Sequence, residues 1–175
     1  MYISQDPIGL GGNNPNFYAY TRDSNTWVDI LGLACNRPGG YITGDVDAHG
    51  NLSPGVNRAL GHANIRADNF IQSHHGIQDA WARRRINGYV RNQAPATLLP
   101  SASGMSHSNV SAAQRARRRT QGGWNTTLKE EFNISYKEMI DSGVPRSQAK
   151  KAMKDSYKYF NELRGQNLNN PFFDI

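Results

Sequence analysis

The sequence predicts an α+β domain in which two short strands sit among a larger number of helices. Three observations carry that expectation. Residues 69–75 and 94–100 are short, apolar, extended-looking segments, the first running into Gly76 and the second bounded by Pro95 and Pro100. From Ser106 onward the chain is rich in Ala, Gln, Arg, Lys and Glu, all good helix formers. Hydrophobic residues make up 37% of the 175 positions, enough for one modest core and too few for two full-size ones.

The elements follow in order. Residues 69–75 read as a strand that closes on Ser73-His74-His75. Residues 77–85 have the spacing of a short helix with Trp81 on its apolar side. Asn87-Gly88 is a turn signal, and Asn87 is read as a turn residue. Residues 94–100 form the second extended segment, and residues 106–119 a basic helix. Thr127-x-x-Glu130 and Ser135-x-x-Glu138 both fit capping boxes, predicting two helices, the second ending at Gly143. Pro145 suits the first turn of a last helix, with Ala149, Ala152, Met153, Ser156, Phe160 and Leu163 on one face and Gly165 as its stop.

Three zones organise the chain. Residues 1–33 are rich in Gly, Asn, Asp and aromatics; residues 34–60 are rich in Gly, Pro and Asn and read as linker and loops; residues 61–175 carry most of the charge and the helical signal. No run of about 18 apolar residues exists, so no membrane insertion is expected. The first residues lack the basic start and apolar stretch of a secretory signal. The one cysteine, Cys35, excludes an intramolecular disulfide and a thiolate metal cluster. Twenty Lys and Arg stand against 14 Asp and Glu, a balance that favours polyanionic partners. Seven of the positive charges are Arg83–Arg85, Arg115 and Arg117–Arg119.

In the first zone, Asp6-Pro7-Ile8-Gly9-Leu10 is followed by Asn16-Phe17-Tyr18-Ala19-Tyr20 and by Trp27-Val28-Asp29-Ile30-Leu31-Gly32-Leu33. This ordered set resembles the end of the Rhs/YD-repeat core, the shell of bacterial polymorphic toxins. The resemblance implies a short β-rich core remnant and a self-cleavage junction. Paired aspartates, by position Asp6 and Asp29, would share a proton and cut between Leu33 and Ala34. Ile30 stands where that family usually has Pro, and without the rest of the shell the pair is expected to be inactive here. The resemblance makes residues 34–175 the effector, without saying which effector.

The chain has five histidines: His49, His62, His74, His75 and His107. Two of them adjoin at the end of the first predicted strand, and His107 opens the basic helix after the second. Neighbours on an extended segment point in different directions, so such a pair can divide two tasks. Ser73-His74-His75, Trp81, Gly88-Tyr89, residues 94–100, His107 and Ala112-Ala113-Gln114-Arg115 together resemble the HNH/endonuclease VII superfamily, in particular its toxin branch with a Ser-His-His signature. That resemblance implies a ββα-metal finger embedded in a mainly helical domain over residues 61–175. It implies a divalent metal ion held by His74 and His107, with His75 as the general base. Mg²⁺ is the first expectation, with Zn²⁺, Mn²⁺ or Ni²⁺ as alternatives. Ser111, one turn after His107, is a poor ligand, which leaves the third position to Asp68, His62, Asn109 or water.

If residues 106–119 form one helix, His107, Ser111, Arg115 and Arg118 fall on one face, and Arg115 and Arg118 are expected to clamp phosphates. The function expected is metal-dependent DNA endonuclease activity with little sequence preference, in an interbacterial toxin. It would be made in the bacterial cytoplasm, exported within a larger Rhs toxin and active in the target cytoplasm. An acidic cognate immunity protein is the expected partner besides DNA and the parent shell. A metal-independent RNase toxin and a non-catalytic nucleic-acid-binding module are the alternatives.

Overall fold

A computed structural model of the protein describes residue 37 and residues 39–62, 71–120 and 124–175. Asp6, Asp29, Leu33, Ala34, Cys35 and Asp68 lie outside the described residues. The architecture is mixed α/β, with a three-stranded antiparallel sheet and several helices. The strands are β1 (Val46–Ala48), β2 (Ile71–His75) and β3 (Pro95–Pro100), in spatial order β1-β3-β2. The helices are α1 (His49–Leu52), α2 (Asp79–Arg85), α3 (Ser106–Thr120), α4 (Leu128–Asp141) and α5 (Arg146–Glu162).

The central strand explains the sheet. Ala96, Thr97, Leu98 and Leu99 are all buried, so β3 is covered on both faces. Its alternating residues face two different cores. Leu99 packs with Val110, Met139, Val144, Ala149 and Ala152, which brings α3, α4 and α5 onto one face. Ala96 and Leu98 pack with Tyr41, Leu52 and Ile71 on the other. A third cluster, around Trp81, Phe160 and Leu128, joins α2 to α4 and α5.

The face covered by Tyr41 and Leu52 corrects the reading of residues 34–60 as linker and loops. Val46–Ala48 pairs in register with residues 95–97 of β3. Tyr41 and Leu52 are core residues. Buried Arg58 ties the segment down through backbone carbonyls, donating to Leu52 at 3.1 Å, Ile71 at 2.5 Å and Ser53 at 3.2 Å. A three-residue strand is too short to display a period of two, and the surrounding Gly and Pro hide it in a composition that reads as loop.

A second correction concerns residues 128–141, which form one helix rather than two. The capping box at Thr127 forms as predicted, with the Thr127 side chain accepting from Glu130 N–H and the Glu130 carboxylate accepting from Thr127 N–H. No breaker follows before Ser135, so the helix runs through it and Ser135 is buried mid-helix. Gly143, at φ +86°, ends the element as expected. Pro145 caps α5 from just outside, and Ala149, Ala152, Ser156 and Phe160 form its buried stripe. Helix α5 closes at Glu162, with Gly165 in a separate 3₁₀ turn, Arg164–Gln166. Among the described residues no helix is long and apolar enough to cross a membrane.

Candidate functional site: a histidine cleft across β2

Strand β2 pairs antiparallel with β3, placing Ser73 opposite Leu98, His74 opposite Thr97 and His75 opposite Ala96. The period of two then sends Ser73 and His75 to one face and His74 to the other. The strand stops at Gly76, where an added Cβ would overlap the Ser156 hydroxyl and crowd α5. This close approach fixes the residue that follows β2 against α5.

On the helical face, His74 meets His107 from the first turn of α3, with ring centroids 5.4 Å apart and planes at 88°. The Gln114 amide lies 3.5 Å from His74 Nε2, the outer limit of a hydrogen bond. Burial, then His107, then His75 push the His74 pKa down to about 3. Burial and the charge of Arg115 push His107 down as well. Both rings are therefore neutral at pH 7, the form in which imidazole binds metal.

On the opposite face, His75 sits against His49 from α1, ring centroids 4.3 Å apart and planes tilted by 31°. His49 Nδ1 is 2.9 Å from the Ser73 hydroxyl. His75 Nε2 lies 3.2 Å from the Arg91 carbonyl oxygen. A carbonyl only accepts, so Nε2 carries the proton in this bond and Nδ1 keeps the lone pair. Burial pushes the His75 pKa down, and the bond to the Arg91 carbonyl opposes that shift. His49 is pushed down to about 4 by burial and then by His75 and Arg91.

The cleft between these groups has a volume of about 240 Å³ and is lined by Ser73, His74, His75, Gln78, Asp79, Ala80, His107, Ser111 and Gln114. Asp79 opens α2 and is engaged by Arg83 at 2.8 Å and by the Tyr89 hydroxyl at 3.1 Å. Its carboxylate therefore gives the rim negative charge while being held by other groups. Two imidazoles sharing one ion at about 2.1 Å would hold their centroids about 5 Å apart at a tetrahedral angle. The observed His74–His107 separation fits that arrangement. Among the described residues, no group of three or more His, Cys, Asp or Glu converges on a metal-sized site. Among the described residues, the cleft therefore sets two imidazoles at that separation.

The structure brings His74, His75 and His107 to one cleft, as the sequence suggested, and separates others from it. His62 Nδ1 is 3.1 Å from the Thr43 N–H, and the Asn109 amide donates to the Gly104 carbonyl; neither lines the cleft. Asn87 is a turn residue that binds the C-terminal segment, its N–H donating to Asn167 Oδ1 and its amide to the Gln166 carbonyl.

The two arginines expected beside His107 part company. A helix advances 100° per residue, so Gln114 and Arg118 follow His107 and Ser111 more closely than Arg115 does. Arg118 reaches into the scaffold, its side chain 7% exposed, donating to Glu131 at 2.7 Å and to Gln78 Oε1 at 2.7 Å. Its guanidinium also lies 4.7 Å from the Trp124 ring centroid, with Arg84 at 4.4 Å from the same centroid. Arg117 joins this network through Glu131 and Glu138, each at 2.8–2.9 Å. The geometry corrects the phosphate-clamp expectation for Arg118, which anchors α3 to α4. Arg115 is exposed and close enough to His107 to depress its pKa.

The residue that sequence reasoning missed is His49. It lies outside both recognised motifs, in a segment whose composition hides its strand. Gln78 and Asp79 were likewise unmarked, and their only signal is that they follow the Ser-His-His turn.

Comparison with known families bears directly on this cleft. The family model Tox-SHH, an HNH/Endo VII superfamily toxin with a SHH signature, matches residues 68–161. That span contains β2, α2, β3, α3 and α4, and Ser73-His74-His75 supplies the signature. Neither the curated proteins nor the solved structures give a match. With more than half of its length matched and the signature placed at the end of β2, the chain belongs to the HNH/Endo VII superfamily of toxins with an SHH signature, a family of nuclease toxins.

Proposed function

We propose that the protein is a metal-dependent DNA endonuclease toxin whose phosphodiester chemistry takes place in the histidine cleft. The observation that carries this reading is the placement of the histidines on the two faces of β2. His74 and His107 stand at ion-sharing distance on one face, and His75 is held in a single tautomer next to them. In this reading β2, β3 and α3 form the ββα-metal finger. A divalent ion held by His74 and His107 would supply charge stabilisation for the phosphate and the leaving oxygen. Two imidazole donors rank Mn²⁺, Zn²⁺ and Ni²⁺ above Mg²⁺ in affinity, because Mg²⁺ prefers oxygen ligands.

The chain's own groups perform the proton transfer. His75 donates its Nε2–H to the Arg91 carbonyl, which leaves Nδ1 to accept a proton from the attacking water. Arg115, exposed beside His107, contacts the phosphate backbone, a type of contact that confers little sequence preference. The products are a 5′-phosphate and a 3′-hydroxyl.

Around this activity we place the cellular setting implied by residues 1–33: an effector at the end of an Rhs toxin, exported from the producing bacterium and acting in the target cytoplasm. An acidic immunity protein would suit a chain of net charge +6.

The test is cleavage of supercoiled plasmid by the full chain in Mg²⁺, Mn²⁺, Zn²⁺, Ni²⁺ or EDTA, beside His75→Ala of unchanged circular dichroism. Metal-dependent nicking that falls by about 10²–10⁴ in His75→Ala is expected. Cleavage of RNA alone that persists in EDTA would replace this reading with a metal-independent RNase. Binding without cleavage in every metal would replace it with a binding module.

A further inference from the structure

His49 packs against the ring of His75, which lines the cleft, and it lies outside the family-matched residues 68–161. It is 6% exposed and is brought to His75 because β1 pairs with β3 and α1 follows at once. Its own N–H donates to the Ala94 carbonyl at 2.9 Å, and the next N–H, of Gly50, donates to the Asn92 carbonyl at 2.8 Å. His75 is bonded to the Arg91 carbonyl in the same short turn. One stretch of backbone, Arg91–Ala94, therefore serves as the reference for both rings.

A ring fixed at one nitrogen can still pivot about that bond. The Arg91 carbonyl holds His75 Nε2 but does not by itself set where Nδ1 points. A second ring against its face removes the pivot. His49 provides that face at 4.3 Å, and the Ser73 hydroxyl holds His49 in turn at 2.9 Å from its Nδ1. Ser73 and His75 share a face of β2, and the β1–β3 pairing brings His49 onto them. The Ser of the signature then has a role through His49.

Building on the nuclease reading above, we propose that His49 is a positioning residue for His75. Its ring, held by Ser73, fixes the orientation of His75 so that Nδ1 is presented to the attacking water. The catalytic unit then extends upstream of the family-matched region, to β1 and α1.

The test uses the full chain and the variants His49→Ala, His49→Phe, Ser73→Ala and His75→Ala, with plasmid cleavage kinetics and nitrogen-15 and proton NMR of the His75 ring. His49→Ala is expected to lower kcat by up to about 100-fold with KM unchanged, the scale of a small misplacement of a catalytic group. His49→Phe keeps a flat ring and is expected to recover most of that loss. Ser73→Ala is expected to fall between the two. In the NMR spectrum His49→Ala should shift the His75 ring protons, through loss of the neighbouring ring current, while His49→Phe retains a ring-current shift.

Wild-type kcat in a folded His49→Ala, or equal losses in Ala and Phe, would overturn the proposal while leaving the nuclease reading intact. Unchanged His75 ring signals in His49→Ala would overturn it independently of activity. If His75→Ala cleaved like wild type, the general-base reading would fall, and the positioning role with it.

Discussion

The two faces of β2 set the same side chain in different surroundings. His74 faces a helix, His107 on α3, and the two rings stand edge to face at 5.4 Å. His75 faces a single helical turn, His49 on α1, and those rings are tilted by 31° with centroids 4.3 Å apart. The first pair has the separation that the proposed shared ion would need; the second pair is closer. In the proposed mechanism one pair holds the metal and the other orients the base, and the pleat sends the adjacent histidines to opposite faces.

The largest expected effects test that division directly. His75→Ala should lower cleavage by about 10²–10⁴ without altering ion affinity. His107→Ala should remove ion affinity and cleavage together, read by Mn²⁺ titration beside the nicking assay. If both variants lost ion binding equally, the two faces would not be separate.

The walls behind the two faces give the next pair. On the helical side, Glu131 is fully buried and receives both Arg117 and Arg118. Glu131→Ala would remove the buried carboxylate that both cations share, and should cost about 3–5 kcal/mol in denaturant unfolding. On the α1 side, Leu52→Ala should cost about 2–5 kcal/mol, because Leu52 is fully buried in the cluster that covers Ala96 and Leu98. A loss near zero for Leu52→Ala would return residues 41–58 to the status of a linker.

Acid should weaken both sides of the metal-free protein. Folded His49 and His74 titrate at about 4 and about 3, against an ordinary histidine value of 6.5. Between 6.5 and about 4 the unfolded chain binds more protons than the folded one, so stability falls as pH is lowered through that window. Glu131, held below the usual carboxylate range by Arg117, Thr126 and Arg118 against the opposing effect of its burial, adds a further loss at lower pH. Denaturant midpoints measured from pH 7 to pH 4 would show the decline; a flat profile to pH 4 would mean the histidines are not buried as described.

The smallest effect separates the two arginines. Arg115→Ala should weaken DNA binding and reduce its salt dependence, leaving the thermal midpoint unchanged. Arg118→Ala should lower the midpoint.

What was legible in the sequence follows the range of the contacts involved. The strand at 71–75, the strand at 95–100 and the helix from Ser106 declare themselves through local pattern, and Thr127–Glu130 through a cap that needs four residues. His74, His75 and His107 came from an ordered motif whose parts lie on those elements. His49 could not be found in that way: it joins His75 only through the β1–β3 register, and a three-residue strand has no period to read. Ser135 misled because a capping box is a permissive pattern, and with no helix breaker nearby the longer helix won. Arg118 falls on the His107 face, as helix spacing predicts, but its side chain meets Glu131 on α4, a contact distant in sequence that spacing does not show.

The most direct measurement is Mn²⁺ binding to the full chain beside its His107→Ala and His49→Ala variants, by calorimetry on folded protein. The account predicts that His107→Ala loses more than the roughly 10–100-fold in affinity that an outer partner would cost, while His49→Ala binds like wild type. Equal losses in the two variants, or wild-type binding in His107→Ala, would contradict the assignment of the ion to one face of β2 and the base to the other.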